Sequence, residues 1–276
     1  GEVGYWREVG VLAEGCPVPV PDGVAGETGV SVVEGRLDGE LGWGLMAGGL
    51  RGCGVEPLEV VLAAVARAFG GVLGLDRLVV GVESHGRFEL PGLGGVERTV
   101  GWFTGLFPVV VSSGGELGDC LGGVCGALRG VPGHGLGYQL LVRSERIDRV
   151  GGLVSVNYLG DVGMGVGGIG GGLGLSSWPA GLAVAPENHL PFPVGVDCGL
   201  DGDGLFCRLT FDRSWCAVEV AQALVDEVIA SVGELVSWCS AGGEVPDAGV
   251  AGVGVGGFVG EGLTADEMEE ILDVFG

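Results

Sequence analysis

Glu83 is the residue of this sequence best placed for acid–base chemistry. It ends an apolar run, in the segment VVGVESHGR, and is followed by His85 and Arg87. A carboxyl group that emerges from a buried strand is partly desolvated, which raises its pKa toward the range where it exchanges protons near neutrality. His85 and Arg87 are spaced to hydrogen-bond that carboxylate or to hold the turn. The simpler interpretation is a salt bridge between Glu83 and Arg87, and spacing alone favours it.

A second unusual segment, RTVGWFTGLFP at residues 98–108, follows shortly after the first. It contains Trp102, Phe103 and Thr104 between a cationic residue and a proline. Taken alone, Trp102 and Phe103 are more typical of a packed core than of a ligand platform.

The elements that must position these segments can be read from periodicity. Helical spacing of apolar residues predicts an amphipathic helix over 57–69, a second helix over 117–129 and a long helix over 221–239. Strands are expected at 28–37, 78–83, 102–111, 153–159, 190–198 and 204–211. Because strands and helices mix without strict alternation, the predicted class is α/β or α+β, with a mixed sheet packed by helices in two layers. Glycines weaken any helix over 42–50.

Composition excludes several classes of partner. The chain has 36 acidic and 13 basic residues, a net charge of −23, and no lysine. Nucleic acids and anionic membrane surfaces both select clustered positive charge, so neither is an expected partner. Hydrophobic residues make up 47% of the chain, which is enough for a folded core, whereas 62 glycines are far above the usual share.

The eight cysteines do not form a metal or disulfide pattern. They are scattered without a CxxC pair, and the three histidines have no ligand spacing to them. The sequence shows no signal peptide and no apolar run long enough to cross a bilayer. We therefore expect free thiols in a cytoplasmic protein that binds no metal or cofactor of its own.

The organisation expected along the chain is a main domain over 1–240, a Gly/Ala/Val-rich linker over 241–262 and a short helix over 263–276. Thr264 and Glu267 form a capping box for that helix.

Five segments, in order, resemble the C-terminal half of an epimerization domain of nonribosomal peptide synthetases, within the condensation-domain superfamily. That family carries a D-x-L-L-x-A helix, then E-G-H-G-R-E, R-T-V-G-W-F-T-x-x-[YF]-P, P-x-x-G-x-G-Y-G and F-N-Y-L-G. This chain has, in the same order, EVVLAA (59–64), ESHGRF (83–88), RTVGWFTGLFP (98–108), PGHGLGYQ (132–139) and VNYLG (156–160). Thr104 in GWFT resembles the epimerizing branch rather than the peptide-bond-forming branch.

The resemblance implies a lobe of the chloramphenicol-acetyltransferase type, two of which face each other across a channel. It also implies interconversion of L and D configurations at the Cα of an aminoacyl or peptidyl thioester, presented on the phosphopantetheine of a peptidyl carrier protein. Glu83 matches the family's acid–base glutamate. Asn157 and Tyr158 match its N-Y pair, and Tyr158 would hydrogen-bond an enolate or relay a proton. Residues implied for substrate or channel binding are His85, Arg87, Trp102 and Thr104.

The sequence departs from the family in several places. The HHxxxDG motif and the N-terminal lobe that carries it do not occur in it, and Ser84, Phe88, Gln139 and Val156 replace family residues. We therefore expect the chain alone to be inactive and its partners to be an N-terminal lobe of the same domain, a carrier protein and neighbouring synthetase modules. The alternatives are a non-catalytic carrier-binding module or degenerate remnant, and a condensation-type acyl transferase.

Overall fold

The computed structural model describes residues 1–19, 29–46, 48–88, 95–96, 98–162, 192–246 and 263. Within these residues the chain forms a six-stranded mixed sheet. The strands are β1 (Val30–Asp38), β2 (Arg77–Ser84), β3 (Gly105–Ser112), β4 (Val154–Asp161), β5 (Val194–Asp201) and β6 (Gly204–Asp212). The α-helices are α1 (Glu2–Glu14), α2 (Gly39–Gly42), α3 (Gly48–Cys53), α4 (Pro57–Leu73), α5 (Leu117–Arg129), α6 (Leu136–Arg143) and α7 (Val218–Ser240).

The spatial order of the strands is β1-β6-β5-β4-β2-β3. The central pairs, β5 with β4 and β4 with β2, are parallel, and the outer pairs are antiparallel. Parallel neighbours require long connections, so the residues that meet at the centre of this sheet are far apart in sequence.

Helices α4 and α7 pack against each other and cover one face of the sheet. Helix α4 begins at Pro57, whose missing N–H costs nothing in a first turn. Glu56 and Glu59 close a reciprocal capping box at the same end, and Gly74 ends the helix with a φ of 68°. Helix α7 presents one apolar stripe to the sheet, which buries Leu224, Val228 and Leu235 among others.

Helices α1 and α6 pack at the β3 end of the sheet through aromatic side chains. The Trp6 ring lies 4.8 Å from that of Tyr138 and 6.4 Å from that of Phe107, between ring centroids. The Trp6 indole N–H also donates to the buried Glu2 carboxylate at 3.1 Å. This cluster ties the N-terminal helix to the strand that follows the GWFT segment.

The predicted fold class is confirmed: a mixed sheet is packed by helices in two layers. Strand β3 begins at residue 105 rather than 102, because 98–103 forms a loop held by Arg87. Helix α6 was not predicted, since the glycines of PGHGLGYQ obscure its spacing. The expected weakness of 42–50 agrees with its short helical turns.

Part of the predicted organisation lies outside the described residues. Of the linker over 241–262, the structure describes 241–246, and of the C-terminal helix over 263–276 it describes Leu263 alone. Both stay predictions. All eight cysteines are free thiols. No helix in the described part of the chain combines the length and apolarity needed to cross a membrane.

Candidate active site

The Glu83 side chain is placed by the alternation of strand β2. Val80 and Val82 are fully buried on the helix-covered face, so Glu83 points to the opposite face, where it is half-buried. Val82 pairs in parallel with Val156 of β4. One residue further along both strands, Glu83 therefore lies beside Asn157 on the same face of the sheet.

Glu83 and Asn157 belong to a polar row that crosses the sheet. Asn157 pairs in register with Asp197 of β5, Asp197 with Arg208 of β6, and Arg208 with Glu34 of β1. Adjacent polar residues are linked: Asn157 hydrogen-bonds the Asp197 carboxylate, and Arg208 Nε donates to Glu34 Oε1 at 2.6 Å. We call these five residues the polar row.

The electrostatics of the row raise the pKa of Glu83. Burial raises the pKa of Glu83, and the negative charge of Asp197 raises it further. The pKa of Asp197 is also raised by burial, but the Arg208 charge and the hydrogen bond from Asn157 oppose that rise. Both carboxyl groups of the row thus have raised pKa values, but only Asp197 has neighbours that oppose the rise.

Tyr158 faces the other way. It pairs in register with Cys198, which is fully buried on the helix-covered side, and neighbouring residues of a strand point to opposite faces. Its hydroxyl is buried without a hydrogen-bond partner among the described residues. Burial, with smaller contributions from Cys198 and Asp161, raises the pKa of Tyr158 to about 12. The structure therefore brings together Glu83 and Asn157, and it places Tyr158 on the opposite face.

Arg87 organises the GWFT loop rather than pairing with Glu83. Its guanidinium donates to the carbonyl oxygens of Val96, Thr99 and Gly101 at 2.7–3.2 Å, and it lies 4.4 Å from the centroid of the Phe103 ring. Within the described residues, no ion pair joins Arg87 to Glu83. The salt-bridge interpretation of this spacing is therefore not supported.

The turn between β2 and this loop requires glycine. Gly86 has a φ of 63°, and a Cβ at this position would overlap the Phe103 carbonyl. His85 is exposed, and its Nδ1 accepts the Arg87 backbone N–H at 2.9 Å. The turn thus brings the segment 98–103 against the end of β2.

Trp102 and Thr104 both project from this loop into solvent. Trp102 is 90% exposed, so the expectation that it packs in the core is wrong, and Thr104 is exposed as well. Within the described residues, no hydrogen bond joins either side chain to Glu83. Their role in substrate binding stays a prediction.

Sequence reasoning missed Asp197 and a ring stack beside the site. Phe88 stacks between His85, at 4.4 Å, and His134, at 4.1 Å, measured between ring centroids. One sequence feature could have pointed to Asp197: it is a carboxylate next to valines in an apolar strand.

The described residues contain no group of three or more His, Cys, Asp or Glu that could hold a metal ion.

Comparison with solved structures defines the fold. The epimerization domain from the third module of tyrocidine synthetase B superposes with a TM-score of 0.72 at 21% identity, over 87% of this chain and 57% of that one. The chain therefore shares the fold of the matching part of that domain. The condensation domain of Monacolin K polyketide synthase gives a TM-score of 0.63 at 16% identity, over 86% of this chain and 57% of that one.

Sequence comparison agrees with this resemblance. Surfactin synthase subunit 1 of Bacillus subtilis is 26% identical over 237 residues, which are 80% of this chain and 6% of that protein. The chain thus spans a small part of the curated relative and little more than half of the matching domains. No protein-family model matches the chain. The resemblance predicted from the five motifs is confirmed: the chain is similar to epimerization and condensation domains and to nonribosomal peptide synthetases.

The raised pKa of Glu83 predicts a gain in stability when its charge is removed. The pKa of Glu83 in the folded state lies above the unfolded value of roughly 4.3. The protonated Glu83 carboxyl therefore contributes its full share to folding stability below the unfolded pKa, and this contribution is lost as the pH rises through the folded pKa. We therefore expect Glu83→Gln to raise Tm near pH 8 and to change it little near the unfolded pKa. Each kcal/mol gained corresponds to about 2–4 °C at this chain length. Thermal unfolding at both pH values measures this.

The control for this prediction is Glu34→Gln, which removes a half-exposed carboxylate from the same row and breaks its ion pair with Arg208. It is expected to leave Tm unchanged or slightly lower. A lower Tm for Glu83→Gln near pH 8 would show that the Glu83 charge is stabilised in the fold, contrary to its desolvation.

The contacts of Arg87 predict that its guanidinium holds the GWFT loop in place. Lysine lacks the planar fork that reaches three carbonyl groups and stacks on Phe103. We expect Arg87→Lys and Arg87→Ala to cost about 1–3 kcal/mol and to accelerate amide hydrogen exchange across 98–103. Arg36→Ala, which removes an exposed pair with Asp201, is the matched control. Unchanged exchange in the loop of both Arg87 variants would contradict this role.

Proposed function

We propose that this chain is the C-terminal lobe of an epimerization domain. Together with an N-terminal lobe that carries HHxxxDG, it interconverts L and D configurations at the Cα of an aminoacyl or peptidyl residue. The substrate is a thioester on the phosphopantetheine of a peptidyl carrier protein, so carrier and neighbouring modules are the proposed partners. The observation that carries the proposal is the half-buried Glu83 carboxyl beside Asn157, on the face that the helices leave uncovered.

The reaction needs a base and an acid on opposite sides of Cα. The ionised Glu83 removes the Cα proton next to the thioester carbonyl, which leaves an enolate, and a histidine of the other lobe returns a proton to the opposite face. A carboxyl group whose pKa is raised is a stronger base for this step than an ordinary glutamate. The Asn157 amide, which gives one N–H to Asp197, is the proposed donor for the enolate oxygen through its second N–H.

The experiment is a reconstitution. The chain is joined to the N-terminal lobe of an epimerization domain and incubated with a carrier protein loaded with an L-aminoacyl thioester, and the released amino acid is analysed by chiral chromatography. We expect D product to accumulate toward the same L:D ratio from either starting isomer. The chain without that lobe is the control and is expected to give none.

A second candidate function is a carrier-binding module without chemistry. It is favoured by Phe88, which occupies the place of a family glutamate and is stacked between two histidines. It predicts that the reconstituted protein binds the carrier with an affinity unaffected by Glu83→Gln but gives no D product. A condensation-type transferase, the other alternative, would instead form an amide when an acceptor aminoacyl carrier is supplied.

A further inference from the structure

Asp197 is a carboxylate next to Asn157, the polar residue that lies beside Glu83. It pairs in register with Asn157 and accepts a hydrogen bond from that amide. Neighbouring strands are about 4.8 Å apart, so Asp197 lies two strands, or roughly 10 Å, from Glu83 on the same face. Its carboxylate takes no part in the proposed proton transfer.

We propose that Asp197 is a positioning residue, whose carboxylate fixes the orientation of the Asn157 amide beside Glu83. The consequence for catalysis rests on the proposed function, but the arrangement itself does not. Asp197 would touch neither substrate nor reacting atoms, since Asn157 lies between it and Glu83.

The amide orientation follows from the chemistry of the two groups. An ionised carboxylate only accepts hydrogen bonds, so the amide must turn its Nδ2 toward Asp197. The Oδ1 atom is then directed away from Asp197, toward strand β2. An acceptor facing Glu83 interacts favourably with the protonated carboxyl and unfavourably with the carboxylate.

The other groups around Glu83 do not neutralise the negative charge of Asp197. Strand β3 contributes Leu106, which is uncharged, and Arg87 is committed to the carbonyl groups of its loop. His85 follows in the turn and is exposed. Arg208 lies beyond Asp197 and is paired with Glu34, so it offsets the Asp197 charge only in part.

The test is a titration of the whole chain by NMR, with 13C in the glutamate carboxyl groups and the Glu83 signal assigned by its loss in Glu83→Gln. Asp197→Asn preserves shape and removes the charge, and we expect the Glu83 titration midpoint to fall. Glu34→Gln is the matched control: it removes the same charge from the same row, four strands or roughly 19 Å away, beyond the screening length of about 8–10 Å. Its shift should be several-fold smaller.

Arg208→Gln supplies a result of opposite sign and keeps the test decisive if Asp197→Asn does not fold. Removing the cation leaves the Asp197 charge less compensated, so the Glu83 midpoint should rise. A midpoint that does not move in Asp197→Asn, that moves equally in Glu34→Gln, or that falls in Arg208→Gln overturns the proposal.

The titration separates this proposal from the proposed function, because it needs no turnover. In the reconstituted domain, the same Asp197→Asn variant should move the acidic limb of the pH–rate profile to lower pH. If the titration gives the expected shifts and no D product ever forms, the role of Asp197 stands and the epimerase assignment fails.

Discussion

Glu83→Gln is expected to lower the rate of L-to-D conversion by the reconstituted domain by about 100-fold or more. Glutamine keeps the shape and half-buried position of the side chain, but it neither accepts nor returns a proton at the Cα. The rate is measured as the initial formation of D-aminoacyl thioester under saturating carrier. Because the variant is also expected to be more stable than the wild type near pH 8, a loss of folding is not the anticipated explanation.

Two variants define what this loss means. Glu34→Gln alters the far end of the polar row and should retain the wild-type rate. Tyr158→Phe removes the hydroxyl on the helix-covered side, so its effect should be much smaller than that of Glu83→Gln. A rate that survives Glu83→Gln contradicts the acid–base assignment, and an equal loss in Tyr158→Phe would show that Tyr158 reaches the substrate.

Arg129→Ala is expected to destabilise the fold by about 2 kcal/mol, with a fall in Tm of roughly 4–8 °C, because the arginine is half-exposed while its partner Glu59 is buried. Arg129 binds the Glu59 carboxylate twice, at 2.8 and 2.9 Å, and Glu59 is 3% exposed. Removing the guanidinium leaves a buried charge without its partner. The Arg129 side chain also donates to the Gly54 carbonyl at 2.7 Å. Urea and thermal unfolding measure the loss.

A double variant separates the effect of the buried Glu59 charge from the effect of losing the Arg129 contact. Glutamine at position 59 can keep the hydrogen bond to the Glu56 backbone N–H, which Glu59 makes at 2.8 Å, so Glu59→Gln combined with Arg129→Met should recover most of the stability. Arg208→Ala, which breaks a pair that is half-exposed on both sides, should cost about 1 kcal/mol or less. Equal losses in Arg129→Ala and Arg208→Ala would contradict the burial argument.

Elements with strong periodicity could be predicted from the sequence. Helices α4 and α7 follow an apolar stripe at helical spacing, and Pro57 and the Glu56–Glu59 box mark one start. Strands β2 and β6 follow runs bounded by turn residues. Helix α6 could not be found because Gly137 lowers its helix propensity, and tertiary packing of Tyr138 against Trp6 overrides that preference.

Local sequence patterns predicted part of the candidate site. Glu83 and Asn157 could be named from motifs, and the alternation of β2 explains the burial of Glu83. The neighbour relationship of Asn157 and Asp197 depends on the parallel pairing of β4 with β5, across residues 163–191, which no local pattern specifies. The separation of Tyr158 from Glu83 depends instead on the pairing of β2 with β4 and on the alternation of side chains along β4.

The exposure of Trp102 is the clearest failure of composition-based reasoning. An aromatic residue in an apolar segment is normally core, but three carbonyl groups bound by Arg87 hold this loop outside the sheet. Only the fold brings Arg87 to those carbonyl groups. The same contacts explain why β3 begins later than its apolar run predicts.

The most direct test of the account is deuterium incorporation at the Cα of a carrier-bound L-aminoacyl thioester, in D2O, by the chain joined to a lobe that carries HHxxxDG. Mass spectrometry of the residue released from the carrier reads the label. The account predicts one deuteron at Cα in the D product, and label in the recovered L thioester as the equilibrium is approached. An absence of label, while the carrier binds and the N-terminal lobe is intact, would contradict proton transfer by this chain.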